Sequence, residues 1–189
     1  MAITIETPVG KIAAEHPLAT RVFARLDIDY CCGGGKPLAE VCKQKGLDSN
    51  TALEDIYKEI DTADTPEVRW DEAPLPELID HILATYHRAL DEELPRLLVM
   101  AEKVCEVHHD KAPEMLSELF NVYLGLKQEL EHHMMKEEHI LFPMIKQGQG
   151  AMGGAPISVM MHEHDSAAAA LTRLRELTND YQVPEEACN

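Results

Sequence analysis

The sequence predicts an all-α protein in two parts, a small N-terminal helical domain and a larger up-down helical bundle. Three observations carry that prediction. Apolar residues recur at alternating steps of three and four over three long stretches, the spacing of one helix face. Period-two alternation and β-branched runs are scarce, so no stretch reads as a strand. Proline, glycine and capping residues punctuate the ends of the periodic stretches.

The chain has 189 residues, enough for a main domain with a smaller one attached. Residues 1–62 read as the N-terminal domain, 63–76 as a linker and 77–189 as the bundle. In the first part, Thr7 and Pro8 stand as N-cap and first helical position, and Gly46 stops the helix LAEVCKQK. Asp48 and Ser49 start the next helix, TALEDIYKEI. The linker is rich in proline and acids.

The first bundle stretch places Leu83, His87, Leu90, Leu94, Leu97, Ala101, Val104 and His108 on one face. Pro95 removes a backbone donor within it and is placed to kink the helix. Asp110 to Pro113 turns the chain. The second stretch carries Leu116, Leu119, Tyr123, Leu126, Leu130, His133, Glu137, Ile140 and Met144, and ends near Lys146. After the glycine-rich GQGAMGGAP, Pro156 opens the third stretch, with Ile157, Met160, His164, Ala168, Leu171 and Leu174 facing inward.

Composition narrows the function classes. Thirty-four acids against seventeen bases give a formal charge of −17, a surface that repels nucleic acid and anionic lipid. No apolar run approaches the roughly 18 residues of a membrane span. The N-terminus lacks the basic start and apolar stretch of a secretory signal, which points to the cytoplasm. Five cysteines in that compartment read as reduced, metal-binding or redox-active thiols rather than structural bridges. No glycine-rich phosphate loop, HExxH pattern or nucleophile elbow is present, so nucleotide-binding and hydrolase readings fall away.

The three stripes share one anomaly: each runs through a histidine, His87, His133 and His164, and the second also runs through Glu137. A carboxylate in an apolar seam costs several kcal/mol unless it is paired. His133 and Glu137, four residues apart, share a helix face about one turn apart and can serve one metal or a metal pair. Facing helices of a bundle are where such carboxylate-bridged sites are built, and mixed imidazole and carboxylate ligands suit iron, manganese or zinc. His108 shares the stripe of His87 but lies 21 residues on, about 31 Å along a continuous helix, and is left out of the site. Glu163, beside His164, is a candidate to orient an imidazole.

Cys31 and Cys32 form a vicinal pair followed by three glycines and Lys36-Pro37. The glycines allow positive φ, and a helix N-terminus with a lysine favours thiolate, so the pair reads as reactive. The plainer reading is a turn with small, half-buried cysteines.

DIDYCCGGGK, IDHILATYH, HHMMKEEHILFPMIKQG and PISVMMHEHD together resemble the di-iron proteins that repair iron–sulfur clusters. Those join a small ScdA-type N-terminal domain bearing a Cys-Cys pair to a haemerythrin-like four-helix bundle. The resemblance spans nearly the whole chain. It implies a cytoplasmic, homodimeric protein with two iron ions, acting on iron–sulfur proteins damaged by nitric oxide or oxidative stress. By matching positions, His87, His133, Glu137 and His164 would be iron ligands, Glu137 bridging, and Cys31 and Cys32 the functional thiols. One departure stands out: the family's fourth bundle helix, with its own His-x-x-x-Glu pair, is expected to be absent from these 189 residues. Repair would proceed by iron donation or by removal of nitric oxide. The rival readings are a haemerythrin-like sensor of oxygen, nitric oxide or iron without turnover, a nitric oxide reductase, and a thiol-redox protein in which the bundle is only a scaffold.

Overall fold

The structure, a computed structural model, describes residues 2–31, 34–61 and 68–184. It divides into two compact units, Met1–Pro74 and Leu75–Asn189. No strand forms among the described residues; one isolated antiparallel bridge joins Pro8 and Pro37.

The N-terminal unit is built from α1 (Val9–Glu15), α2 (Ala19–Arg25), α3 (Leu38–Lys45) and α4 (Ser49–Asp61). Helix α1 begins one residue later than the Thr7-Pro8 signal implies, with Pro8 itself at the N-cap. Gly46 ends α3 in the left-handed region at φ 69°, as glycine does at little cost. Asp48 caps α4 by accepting the Thr51 N–H at 2.7 Å. Val9, Ile12, Val22, Phe23, Leu38, Cys42 and Ile56 close into one core, each 0–1% exposed. Fully burying a side chain of this kind is worth roughly 1.5–3 kcal/mol, so the unit holds itself together by apolar burial.

The loop after Cys31 is fastened to the start of α1. Val9 N–H donates to Lys36 C=O at 3.0 Å and Gly10 N–H to Gly34 C=O at 2.8 Å. Glycine is required at 34 by close approach, since a Cβ there would lie 2.4 Å from the Tyr30 carbonyl oxygen. Among the described glycines only Gly46 and Gly148 take positive φ, so the expected left-handed glycine beside Cys31 is not seen at Gly34 or Gly35.

In the second unit, α5 (Leu75–Ile82), a π-helical turn (Leu83–His87) and α6 (Arg88–His108) run on without interruption. Helix α6 passes through Pro95 with no break. Then come α7 (Pro113–Lys136), a second π turn (Glu137–Leu141), α8 (Phe142–Lys146) and, after a short 3₁₀ turn, α9 (Gly154–Leu177). Helix α7 lies between α6 and α9 and packs on both, while α6 and α9 barely touch each other. Tyr123 OH ties α7 to the Leu94 carbonyl of α6 at 2.9 Å, and Arg173 ties α9 to Glu118 at 2.6 Å.

This row of three helices corrects the expected stripes. Leu94 and Leu174 are buried, but Leu97, Val104, Ile157 and Leu171 are exposed, because no described element covers those faces of α6 and α9. His108 lines an apolar cleft of about 810 Å³ where α6 ends and α7 begins, the far end of these helices from His87 and His133. No described helix is long and apolar enough to cross a membrane.

Candidate metal centre

Both π turns fall at predicted site residues. The first ends on His87 and the second begins on Glu137. A π turn closes its hydrogen bond over five residues rather than four, which adds one residue to the helix and rotates the remainder of that helix by about 100°. The effect is visible downstream of Glu137. The sequence spacing puts Ile140 and Met144 inward, yet Ile140 is 48% exposed while Leu141 and Phe142 are 8% and 5% exposed. Leu141 and Phe142 instead pack with Ile79 and Met160, flanked by Ile82, Leu83 and Ile145, and this cluster floors the site.

Above that floor the four predicted side chains come together. His87 Nε2 lies 3.0 Å from Glu137 Oε2, and His133 Nε2 lies 3.6 Å from the same oxygen. His164 Nε2 is 3.0 Å from His133 Nε2, with ring centroids 4.6 Å apart. His87 and His133 are buried at 3% and 6% exposure. His164 is exposed, against the expectation of a fully inward stripe. Helix α9 turns Met160, Glu163 and Leu174 toward its neighbours, and the face carrying His164 borders the uncovered side of the row.

The outer nitrogens of the two buried rings are held by carboxylates. Glu138 Oε1 sits 2.9 Å from His87 Nδ1, and Glu163 Oε2 sits 2.9 Å from His133 Nδ1. Lys136 pairs with the other oxygen of Glu163. The bond from Lys136, with a smaller contribution from His133, holds the Glu163 carboxyl below the usual carboxylate range. An imidazole that donates Nδ1–H to a carboxylate presents the Nε2 lone pair, and on both buried rings that atom faces the cluster. No buried side-chain nitrogen or oxygen among the described residues lacks a partner.

The donor set fits a divalent first-row metal in chemistry and in part in spacing. Three imidazole nitrogens and a carboxylate suit iron, manganese or zinc. Two ligand atoms each about 2.1 Å from one ion and at right angles lie about 3.0 Å apart, and His133 Nε2 and His164 Nε2 are separated by that distance. Among the described residues no three such groups already surround a common point; the donors pair off in hydrogen bonds instead. Binding a metal therefore exchanges the hydrogen bonds between His164 and His133 and between Glu137 and His87 for bonds to the ion.

Of the two cysteines, Cys31 is exposed, and its N–H donates to Asp29 Oδ1 at 2.9 Å. Cys32 lies outside the described residues. Lys36, expected to act beside the pair, points its ammonium at Gln44 Oε1, 3.5 Å away. Glu138 is the residue that sequence reading missed. Its only signal is the doubled acid in KEEH, because a contact to a partner 51 positions away leaves no trace in local periodicity.

Comparison with known proteins agrees with this architecture. Residues 5–61 match the ScdA_N domain of unknown function (DUF542), and residues 78–189 match the hemerythrin HHE cation binding domain. Relatives from Escherichia coli O1:K1 and Escherichia fergusonii, each named iron-sulfur cluster repair protein YtfE, are 44% identical over 184 residues. The alignment covers 97% of this chain and 82% of each relative. An all-α chain that joins an ScdA_N domain to a cation-binding hemerythrin domain, at this identity over almost its whole length, belongs to the family of iron–sulfur cluster repair proteins.

Proposed function

We propose that this chain is a di-iron protein that repairs iron–sulfur clusters damaged by nitric oxide or oxidative stress. The observation that carries the reading is the convergence of His87 Nε2, His133 Nε2, His164 Nε2 and the Glu137 carboxylate from three helices. In this reading the three imidazoles and Glu137 hold iron. Glu137 is suited to the shared position because one of its oxygens lies within 3.6 Å of both the His87 and His133 nitrogens.

Iron held by mixed nitrogen and oxygen ligands is redox-active and is labile enough to be surrendered. The protein's own part is to present, orient and release. Glu163 and Lys136 hold His133 in the tautomer that offers Nε2. Phe142, packed with Leu141 and Met160, covers one side of the His87 ring. Exposed His164 stands at the rim, where an ion or a small ligand such as nitric oxide or oxygen enters. Cys31, on an exposed loop, and Cys32 serve as the thiols that take iron in transit or supply electrons. The proposal includes cytoplasmic location and a homodimer, as the family resemblance implies, with damaged iron–sulfur proteins as partners.

Iron content after anaerobic reconstitution tests it. About two irons per chain supports the di-iron reading, and less than about one counts against it. His133→Ala should abolish most binding. Replacing Cys31 and Cys32 together by serine should leave the iron in place and lower reactivation of a nitric-oxide-damaged cluster enzyme. Iron-dependent nitrous oxide formation by the reduced protein, without such reactivation, would favour a nitric oxide reductase.

A further inference from the structure

The geometry points to Glu138 as a positioning residue for His87, a role that rests on the reading of His87 as an iron ligand. Its carboxylate fixes the imidazole in the tautomer and orientation that leave Nε2 free for the metal.

The His87 ring is held at both nitrogens by consecutive residues. Nε2 lies 3.0 Å from Glu137 Oε2 and Nδ1 lies 2.9 Å from Glu138 Oε1. In a regular α-helix neighbouring residues point about 100° apart, but here the helix enters a π turn at Glu137, where the backbone leaves that geometry. Two successive side chains thereby grip one ring on the facing helix, whose own π turn ends at His87.

The two carboxylates cannot play the same part. A neutral imidazole carries one N–H, and either acid could accept it. A metal takes a lone pair at Nε2, so ligation requires the proton at Nδ1, facing Glu138. Once Glu137 turns to the metal, Glu138 is the carboxylate still holding the ring. Phe142 packs 5.8 Å away, ring to ring, and fills one side of His87 without offering an acceptor. Arg88 Nη2 lies 3.8 Å from the Glu138 oxygen that binds His87. The arrangement matches what Glu163 does for His133, so each buried imidazole has its own carboxylate on a neighbouring helix.

The test is iron release from the 189-residue chain, loaded anaerobically with ferrous iron and challenged with a ferrous chelator. Glu138→Ala should speed release by about 10–100-fold. Glu138→Gln keeps a carbonyl acceptor for Nδ1–H and should recover most of that loss. Glu138 is 29% exposed at the side chain, so neither change opens a buried hole; Glu138→Ala leaves His87 Nδ1 unpaired and should lower the iron-free melting temperature slightly, whereas Glu138→Gln should melt with the wild type. Wild-type release from Glu138→Ala, with faster release from His87→Ala, would overturn the role of Glu138 and leave His87 as a ligand. Equal leakiness of the Gln and Ala variants would also overturn it, as would a Glu138→Gln variant that melts as low as Glu138→Ala without iron. Failure of the wild type to take up iron, or indifference to His87→Ala, would remove the metal reading beneath it.

Discussion

The two units of this chain are stabilised in different ways. The largest side chains sealed below 2% exposure, Phe23, Ile12 and Leu38 among them, all belong to the N-terminal unit. The bundle, although longer, has two histidines among its buried residues and leaves Leu97, Val104, Ile157 and Leu171 in contact with solvent. Apolar burial needs no partner beyond the chain itself. A core of imidazoles and carboxylates is stable only when each group is paired. The comparison teaches that the N-terminal unit is held by apolar burial, whereas the described part of the bundle combines apolar contacts with a polar cluster whose members must stay paired.

The largest effect should come from breaking the apolar unit. Phe23→Ala removes a ring that is 0% exposed, and such truncations cost about 3–5 kcal/mol. Native-state hydrogen exchange should show protection collapsing across α1–α4 while the bundle keeps its protection and its iron uptake. Equal loss in both units would mean that they unfold together, and the contrast would fail.

A second substitution pair probes the bundle where sequence reading and structure part. Leu141→Ala should cost about 2–5 kcal/mol as a buried truncation, whereas Ile140→Ala should stay within about 0.5 kcal/mol. The heptad-like spacing predicts the reverse order. Chemical denaturation of the iron-free chain reads both.

That reversal shows what was legible. The helices, their caps at Asp48 and Gly46, and the histidine on each stripe follow from local chemistry, which a sequence displays directly. A π turn does not announce itself, because one added residue preserves the composition and shifts only the phase, so the spacing turns Ile140 inward in place of Leu141. Exposure of His164 and of Leu171 was equally hidden, since spacing tells which residues share a face and not whether anything covers it. Glu138 escaped because its role depends on His87, 51 residues away.

Iron should sharpen the comparison from the other side. If the cluster binds metal, ferrous iron at 100 times its dissociation constant should add about 2.7 kcal/mol to the bundle alone. Amides of α1–α4 should be indifferent, and His133→Ala should erase the gain. A shift in N-terminal protection instead would show that the metal acts outside the imidazole cluster.

The smallest effect concerns acid and separates the polar cluster from surface charge. Glu163 has its carboxyl held below the ordinary value, chiefly by Lys136 and less by His133. A carboxyl whose value is lower in the fold than in the unfolded chain stabilises the fold above its unfolded value, about 4.3, and loses that contribution as the pH falls through the folded value. Glu163→Gln should therefore cost the iron-free bundle on the order of 1 kcal/mol near neutrality, since the side chain is only a quarter exposed. The gap to wild type should narrow as the pH is taken below about 4. The N-terminal unit has an acid-sensitive pair of its own, Glu59 with Arg25 and Arg21, so a raw pH profile mixes the two. The difference between wild type and Glu163→Gln isolates the bundle. A gap that stayed constant into acid would assign the loss to packing around Glu163 rather than to its charge, and the bundle would then be less dependent on ionised groups than its geometry indicates.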